Sequence, residues 1–598
     1  MGSAFAMNFV RQRPFAVALA VALLLVLLDA VLTGWDLWEN FARQDNDDIM
    51  RLVMVRDLIA GQGWFDTVQY RVVPPEGLSM HWSRYVDAGI AAIVVPLSYI
   101  LPMPQAEVMA AAIWPTLIMA IGLCVIGLGT RRLFGVTAAC FAMFVTVIWP
   151  VTGDLHSDPG NLDHHNVQML MMTLVGFGIV WPDRPWSAGI VAGLAAAFSL
   201  AVGLETLPFV VGAGLILVIR AGLVGNAPMR HLLISFCLSL GVGAVLFWLG
   251  QAPPATRMAP ICDQLGLPFL ALIGLAVVAS LLPLCLSRWV SGIIFHVTAA
   301  AVLTGVGILL AWPLLSPCLD GPYAQLPDDL QIFIETRITE AMPLLLYAQR
   351  RPEAAIQFVL PIVLSAGLGL WYLIGNYRSG RETPTRNAAL AALLVLCLLG
   401  IGMIFIQMRT VIMAASVVPI VAGYVLARQF QGYFADRNAR VALAGLVTAA
   451  LVMAPSLASD AIKPILSGSD GTETTMGQAK QCRSYSALAV LNEAPAGRIL
   501  NHFNFGSSII WATHHDTLSA GYHRSAASMT NTIVPFTLDE AALEDYMRDA
   551  DARYLLLCSE TRYESDFANA LRDGAEVGWL RRVPLSNDDQ ILLELQPQ

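Results

Sequence analysis

The chain has 598 residues, of which 56% are hydrophobic and only 13% are charged, and its mean hydropathy is +0.63. A soluble domain carries about 25% charged residues, so the composition excludes an ordinary soluble protein and predicts an α-helical polytopic membrane protein. The formal net charge is −9, and the basic residues are scattered without interleaved aromatic residues. This pattern argues against a nucleic-acid-binding groove.

Apolar segments of membrane-spanning length occupy most of the first 458 residues, and they predict about thirteen transmembrane helices. The segments are 14–32, 108–129, 135–150, 167–181, 189–201, 207–219, 232–249, 268–286, 290–314, 355–374, 388–406, 411–426 and 441–454. Arg11 and Arg13 precede the first segment, and arginines recur in the loops on the same predicted side. Because short basic loops stay cytoplasmic, we expect a cytoplasmic N-terminus and an external C-terminal region.

This topology places three polar loops outside the membrane. We call them the first loop (34–103), the second loop (151–166) and the third loop (315–352). Within the first loop, the apolar stretch 88–101 is too short and too interrupted by proline for a span, and it predicts an interfacial segment.

Two domains are therefore expected, a transmembrane domain over 1–458 and a small soluble extracytoplasmic α/β domain over 459–598. In the second domain, hydrophobic patterning predicts strands and helices. The strands are expected at 499–503, 508–512, 554–558 and 591–595, and the helices near 538–547 and 565–571.

The nine cysteines show no zinc-binding spacing, and five of them lie inside apolar segments, where a buried hydrophobic role is ordinary. The other four lie in the predicted external regions. In an oxidising compartment Cys482 could pair with Cys558, and Cys262 with Cys318. Free thiols are equally compatible with the sequence.

The first loop contains a dense acidic group, Asp45, Asp47 and Asp48, directly before the amphipathic run 49–59. Acidic residues at a helix N-terminus are stabilised by the free backbone amides. Capping explains one aspartate and leaves two unexplained, so this group is a candidate functional site.

The second loop ends in Asp163, His164, His165 and Asn166, and the third loop contains Glu340. Carboxylates from three loops are the hard oxygen ligands that Mg²⁺ or Mn²⁺ prefers, although each alone could simply be solvated. For the two histidines, metal binding, phosphate binding and interfacial hydrogen bonding all remain open.

Two arginines are candidate anion-binding groups. Arg409 stands at the predicted outer end of a span, where a cation is costly unless it is paired or snorkels to the interface. Arg337 stands beside Glu340 and has the same two interpretations. A lipid phosphate is a suitable partner for either guanidinium.

The motifs together resemble those of the catalytic subunits of oligosaccharyltransferases, within the GT-C glycosyltransferase superfamily. The segment that begins Asp47-Asp48-Ile49-Met50-Arg51 is similar to the first acidic motif of that family, Asp163-His164-His165 to the second, and Arg337-Ile338-Thr339-Glu340 to the motif of the mobile loop. Arg409 corresponds to the arginine near the lipid-linked phosphate.

The resemblance implies a role for each residue. Asp47, Asp48 and Glu340 would be catalytic; Asp47, Asp163 and Glu340 would bind Mg²⁺ or Mn²⁺; and the donor phosphate would be bound by Arg409, His164, His165 and Arg337. The implied reaction is inverting transfer of a sugar or oligosaccharide from a polyprenyl-(pyro)phosphate donor. The implied location is a bacterial inner membrane, with the active site and the C-terminal domain in the periplasm.

One family motif is missing. The C-terminal domain lacks the Trp-Trp-Asp-Tyr-Gly sequence that reads the hydroxyl residue of the Asn sequon, and its nearest counterparts are Asn504-Phe505-Gly506 and Tyr522-His523-Arg524. The domain is also small. A periplasmic glycan or lipid is therefore a better expected acceptor than a protein.

Two alternatives are open at this stage. The first is a transferase for a single sugar carried on polyprenyl phosphate, for which a metal is dispensable. The second is a lipid or glycan transporter, in which charged residues would line a path through the membrane. Such transporters often contain internal repeats, and the two halves of this chain show none.

Overall fold

The structure is a computed structural model that describes residues 13–181, 183–286, 292–324, 326–436, 439–456 and 481–597. The part up to residue 456 is almost entirely helical. Its helices are α1 (Pro14–Gly34), α2 (Leu37–Asn40), α3 (Asn46–Ile59), α4 (Arg84–Ser98), α5 (Met103–Phe134), α6 (Val136–Ile148), α7 (His165–Val180), α8 (Pro185–Val202), α9 (Leu207–Val224), α10 (Ala227–Gln251), α11 (Leu267–Leu286), α12 (Ile293–Leu315), α13 (Asp328–Arg337), α14 (Leu344–Arg350), α15 (Pro352–Ser379), α16 (Pro384–Ile404), α17 (Val411–Ala415), α18 (Val418–Asp436) and α19 (Ala439–Met453).

Among the described residues, nine helices are long and apolar enough to cross a membrane, or ten if the bent pair Met408–Ala415 and Val418–Gly432 is one span. Three shorter apolar helices are Val136–Ile148, His165–Val180 and Arg440–Met453. Each of the thirteen predicted segments coincides with one of these helices. A polytopic helical protein is thus confirmed, whereas the count of thirteen spans stays a prediction.

The first loop is folded rather than extended. It contains α2, α3, α4 and a two-stranded antiparallel sheet of β1 (Val68–Gln69) and β2 (Leu78–Ser79). Helix α4 begins after Ser83, whose hydroxyl accepts the backbone N–H of Tyr85, and it continues past Pro96. Most of the apolar stretch 88–101 is therefore helical.

The C-terminal region forms one five-stranded mixed sheet in the order β4-β3-β5-β7-β6. Strand β3 is parallel to β4 and β5, while β7 is antiparallel to β5 and β6. The strands are β3 (Arg498–Asn501), β4 (Asp516–Thr517), β5 (Tyr554–Cys558), β6 (Leu580–Arg582) and β7 (Gln590–Leu595), and the helices are α20 (Tyr485–Ala489), α21 (Gly506–Ala512), α22 (Ala526–Ile533), α23 (Glu540–Asp549) and α24 (Asp566–Arg572).

The expected α/β fold is present, with one wrong element. The run 508–512, predicted as a strand, is part of α21. The residues from Ser508 to Trp511 are all buried. The run therefore shows no alternation of polar and apolar positions from which a strand or a helix could be recognised. A short continuous apolar run does not distinguish strand from helix.

The C-terminal domain packs directly on the first loop. One hydrophobic core contains Ile49 and Val53 of α3 together with Ile509, Trp511 and Leu592. The guanidinium of Arg71 donates to the carbonyls of Ile510 at 2.6 Å and Thr513 at 2.8 Å. The two units are thus joined by a shared core, and the predicted boundary at 458–459 lies outside the described residues.

Two disulfides are present, Cys262–Cys318 and Cys482–Cys558, with Cα–Cα distances of 5.1 and 5.9 Å. Both pairings that the sequence left open are therefore formed. The first joins the segment before α11 to the segment after α12. The five cysteines in apolar segments are free thiols.

Candidate active site

The acidic group of the first loop forms the N-terminus of α3. Asp45 is the N-cap, and its carboxylate accepts the backbone N–H of Asp47 at 3.0 Å. Asp47 and Asp48 occupy the first turn, where the free amides favour negative charge. Asp47 is half-buried, and Asp48 is buried, with 3% exposure.

Asp48 binds the second loop. Its Oδ1 accepts the backbone N–H groups of Leu162 at 2.7 Å and Asp163 at 2.8 Å. Burial and the charges of Asp45 and Asp163 raise the pKa of the Asp48 carboxyl well above its usual range, and the two amides partly offset this. Asp48 therefore fixes Asp163 next to α3, and its catalytic role stays a prediction.

Asp163 holds two imidazoles. Its carboxylate contacts Nδ1 of His164 at 2.6 Å and also Nδ1 of His165. The two rings stack with centroids 4.6 Å apart, and His156 stacks on the other side of His165 at 5.3 Å. The Nε2 atoms of all three histidines are buried and lack a hydrogen-bond partner. A carboxylate on Nδ1 fixes the tautomer that presents Nε2 as a ligand.

The charge of His164 is determined by its neighbours. Burial alone would lower the pKa of His164, but the carboxylates of Asp163 and Glu205 raise it to about 10. His164 Nε2 lies 3.5 Å from Oε1 of Glu205. His164 is thus a cation at neutral pH, suited to an anionic ligand.

A buried ion network in the first loop stabilises the position of Asp163. Arg51 of α3 and Arg84 of α4 each contact Asp87 at 3.1 Å, and both arginines are almost fully buried. Arg51 also lies 3.8 Å from Asp163 and stacks over Trp82 at 4.5 Å. The contact between Arg51 and Asp163 therefore joins Asp163 to the helices of the first loop.

The third loop meets Arg409 at the site. Nη2 of Arg409 lies 2.9 Å from Oε1 of Glu340 and donates to the hydroxyl of Tyr323 at 3.3 Å. The backbone N–H of Arg409 also donates to the carbonyl of Glu340 at 2.8 Å. The Nε of Arg409 is buried without a partner. This guanidinium therefore retains a donor for a further anion.

The three loops share one electrostatic environment around Asp47. Burial raises the pKa of the Asp47 carboxyl well above its usual range, and the charges of Asp45, Asp163 and Glu340 raise it further. Four carboxylates so close together repel one another unless a cation is present. Arg337, by contrast, lies exposed at the end of α13, and its side chain forms no ion pair with any carboxylate in the described part of the chain.

Two groups of possible metal ligands occur among the described residues, each with ligand atoms within 4.8 Å of one another. They are Asp163–His164–His165 and His81–Asp263–His523. The predicted set of Asp47, Asp163 and Glu340 is not one of them, and Glu340 is held by Arg409. The repelling carboxylates fit a divalent cation, and the unpartnered Nε2 of His165 is a further possible ligand, whereas the protonated His164 is not.

The second group has a different chemistry. Both carboxylate oxygens of Asp263 accept hydrogen bonds from Arg524 at 2.6 Å, and one also lies 3.0 Å from Nε2 of His523. The ring of His81 packs at a tilt against that of His523, with centroids 4.7 Å apart. Because a guanidinium already neutralises Asp263, this group is an ion pair between the loop after α10 and the C-terminal domain.

Several residues of the site are not apparent from the sequence motifs. Glu205 could have been found as an acidic residue between two apolar segments, since such residues are usually functional. Tyr323, which contacts Arg409, lies in a polar loop without a pattern. The Asp263–Arg524 pair joins residues 261 positions apart, and a single sequence carries no signal for it.

No family model matches the chain, and no curated protein matches it significantly. Solved structures do match. The archaeal oligosaccharyltransferase AglB from Archaeoglobus fulgidus, in complex with an inhibitory peptide and a dolichol-phosphate, gives a TM-score of 0.67 at 14% identity, over 92% of this chain and 70% of that one. The chain has the fold of an oligosaccharyltransferase.

The Archaeoglobus fulgidus oligosaccharyltransferase in complex with Zn and sulfate gives a TM-score of 0.60 at 16% identity, over 91% of this chain and 68% of that one. ArnT from Cupriavidus metallidurans, bound to undecaprenyl phosphate, gives a TM-score of 0.44 at 13% identity, over 96% and 99%. The oligosaccharyltransferase matches confirm, at the level of the fold, the resemblance that the motifs indicated.

Proposed function

We propose that this protein is an inverting glycosyltransferase of the membrane, which moves a sugar or oligosaccharide from a polyprenyl-(pyro)phosphate donor to a glycan or lipid acceptor. One observation carries the proposal. The charges of acidic residues from three loops act on Asp47, and a half-buried cation with an unpartnered Nε, Arg409, lies beside Glu340. A carboxylate for the acceptor and a cation for the leaving phosphate are the two groups that the reaction needs.

In this mechanism, Asp47 orients the acceptor hydroxyl and accepts its proton. The hydroxyl oxygen attacks the anomeric carbon from the face opposite the phosphate, and the bond between the anomeric carbon and the phosphate oxygen breaks. The electron pair leaves with the phosphate, whose charge is stabilised by Arg409 and the protonated His164. General-base assistance of this kind contributes about 10²–10⁴-fold.

A Mg²⁺ or Mn²⁺ ion would be held by the carboxylates of the three loops, Asp47, Asp163 and Glu340. When bound, the ion supplies a positive charge that orders the acceptor or stabilises the departing phosphate. His165, for which the sequence left metal, phosphate and interfacial roles open, is a further candidate metal ligand through its unpartnered Nε2, because its Nδ1 is oriented by Asp163.

The surroundings of α3 support an acceptor other than a peptide. Asn504, in the place of the missing sequon reader, accepts a hydrogen bond from Asn46 Nδ2 at 3.2 Å. The hydroxyl of Tyr522 donates to the carbonyl of Asn46 at 2.9 Å. The side chains of Asn504 and Tyr522 hold the start of α3. Neither is free to recognise the hydroxyl residue of an Asn sequon.

We place the enzyme in a bacterial inner membrane, with its site and C-terminal domain in the periplasm. Two disulfides in the predicted external regions support this location, because they persist in oxidising compartments. A bacterial periplasm is such a compartment.

Transfer of label from a radiolabelled cell-envelope lipid fraction to endogenous acceptors tests the proposal, using purified full-length protein with and without EDTA. We expect metal-dependent transfer that is lost in Asp47→Asn and retained in Asp545→Asn, an exposed aspartate of α23. Absence of transfer, with label crossing a reconstituted bilayer instead, would favour a transporter. Transfer by the Asp47→Asn variant at the wild-type rate would contradict the assignment of Asp47 as the catalytic carboxylate.

A further inference from the structure

Helices α8 and α10 pack closely against each other, and both begin on the side of the membrane that is opposite to the candidate site. Near their first turns, Gly189 of α8 leaves room for the hydroxyl of Ser235 on α10, with which an added Cβ would collide. At their other ends, Gln251 donates to the carbonyl of Ala201 at 2.8 Å, close in sequence to Glu205 of the candidate site. Helix α8 has 18 residues and is therefore about 27 Å long. Its first turn lies on the predicted cytoplasmic side.

Two stacked rings mark this end of the helix pair, and we call them the ring pair. They are Trp186 in the first turn of α8 and His231 near the start of α10, with centroids 5.0 Å apart and planes inclined by 27°. Trp186 is 48% exposed and His231 is half-buried. Tryptophan is enriched where a membrane meets water, because its ring is apolar and its N–H is polar. The ring pair therefore indicates the level of the lipid headgroups.

Two arginines adjoin the ring pair in sequence. Arg184 directly precedes α8 and is exposed, while Arg230 lies in the first turn of α10 and is half-buried. Within the described ranges, neither guanidinium forms an ion pair or a hydrogen bond, and the Nε of Arg230 is buried. The neighbouring acid, Asp183, pairs instead with Arg132 at 2.6 Å. This end therefore has positive charge and unused N–H donors, which suit a phosphate.

Exposed apolar side chains continue from the ring pair toward the middle of the membrane. On α8 they are Ile190 and Leu194, which follow Trp186 at steps of four residues, and on α10 they are Leu238 and Val242. Residues at such spacings lie on one face of a helix. Each helix thus has an apolar stripe below its ring. A cationic group above two apolar stripes matches a lipid, whereas a soluble phosphate would leave the stripes unused.

We infer that this end of α8 and α10 binds an anionic phospholipid of the predicted cytoplasmic leaflet. The headgroup phosphate contacts Arg184 and Arg230 beside the ring pair, and the acyl chains lie along the two stripes. A zwitterionic lipid fits less well, because its ammonium group is repelled by the arginines. The site lies across the membrane from the proposed donor site, and the inference does not depend on the transferase function.

Native mass spectrometry of the purified full-length protein tests the site, with phosphatidylglycerol and phosphatidylcholine as probes. We expect the wild type to retain phosphatidylglycerol more strongly. Arg184→Gln and Arg230→Gln should each lower its affinity about fivefold, the usual contribution of one basic side chain near anionic lipid. Trp186→Leu should lower it as well. Arg381→Gln is the matched control, because Arg381 is an exposed arginine between α15 and α16 on the same predicted side and has no stacked ring pair beside it.

Thermal unfolding in detergent gives a second readout and separates a lipid from a free phosphate. Phosphatidylglycerol should raise the unfolding midpoint of the wild type and of Arg381→Gln, and it should raise that of Arg184→Gln much less. Inorganic phosphate should raise none of them. Without lipid, Arg184→Gln and Trp186→Leu should unfold at the wild-type midpoint, since both positions are exposed. These two variants decide the question if Arg230→Gln proves unstable.

Equal retention of the two lipids by the wild type would overturn the site, as would phosphatidylglycerol binding that Arg184→Gln and Trp186→Leu leave unchanged. An equal loss of affinity in Arg381→Gln would also overturn it, because any arginine on this side would then have the same effect. Stabilisation by inorganic phosphate as large as that by phosphatidylglycerol would reject the lipid as the ligand and assign a soluble phosphate instead.

Discussion

Oδ1 of Asp48 accepts the backbone N–H of Asp163 at 2.8 Å, although 115 residues separate the two positions. This contact joins two acidic motifs through main chain, and it leaves the carboxylate of Asp163 free to hold its histidines. Adjacent aspartates of α3 thus differ in their contacts: Asp48 binds two amides of the second loop, while we propose Asp47 as the catalytic carboxylate.

Substitutions of Asp47 and of Asp48 should therefore differ in their effects on stability and on activity. Asp48→Ala removes both amide contacts, leaves buried donors unsatisfied at a cost of about 1–3 kcal/mol each, and should lower both the midpoint of thermal unfolding and activity. Asp48→Asn keeps an acceptor oxygen and should restore much of both. Asp47→Asn should abolish transfer with an unchanged unfolding midpoint. Thermal unfolding of the purified variants, with transfer rates measured in parallel, checks this, and equal unfolding midpoints for Asp48→Ala and the wild type would contradict it.

Divalent-cation binding should release protons. The pKa of Asp47 is raised by burial and by Asp45, Asp163 and Glu340, so this carboxyl holds its proton to a higher pH than an ordinary aspartate, and a cation must displace that proton. We expect the affinity for Mn²⁺ to fall as the pH is lowered from 8 to 6. Calorimetry in buffers of different ionisation enthalpy measures the released protons. Asp47→Asn should release fewer, and a pH-independent affinity would argue against a cation at this carboxylate.

Arg409 and Arg337 provide a comparison between a paired, half-buried arginine and an exposed one. Arg409→Gln removes the cation beside the leaving phosphate, and loss of one such stabilising group typically costs about 10²–10³-fold in kcat. Arg337→Gln should cost much less, because solvent screens an exposed charge. The kcat values of the two variants, measured at saturating donor, show whether Arg409 contributes more to the reaction rate than Arg337 does. A loss for Arg337→Gln as large as for Arg409→Gln would show that the third loop brings Arg337 into the site during turnover.

The Cys262–Cys318 disulfide should support activity as well as stability. It is adjacent to Asp263, which binds Arg524, and Tyr323 follows Cys318 by a few residues and contacts Arg409. Replacing both cysteines by serine should cost about 2–4 kcal/mol of stability and lower the transfer rate, whereas Cys124→Ser, at a free thiol, should do neither. Tyr323→Phe should reproduce part of the rate loss without the stability loss. An unchanged rate in both variants would mean that Arg409 is positioned without this contact.

The sequence predicted the local features of this protein better than its long-range contacts. Helix positions followed from long apolar segments, and the three acidic motifs were visible because each is contiguous. The run 508–512 was assigned wrongly because its burial is uniform. Cysteine pairing was undetermined, since spacing does not reveal distance in the fold. The contact of Asp263 with Arg524 depends on how the C-terminal domain lies on the loop after α10, and that arrangement is a property of tertiary packing alone.

The Asp263–Arg524 pair also predicts a specific pH dependence. Burial alone would raise the pKa of Asp263, but Arg524 and His523 hold it well below its usual range. A depressed folded-state pKa contributes stability that is present above the unfolded value of about 3.9 and is lost as the pH falls below it. Asp263→Asn should therefore lower the midpoint of thermal unfolding at pH 7, and its difference from the wild type should shrink as the pH falls below about 4. Asp545→Asn should show no such difference at either pH, because Asp545 is exposed. A difference between Asp263→Asn and the wild type that stays constant down to pH 3 would mean that packing, and not the ion pair, holds the C-terminal domain on this loop.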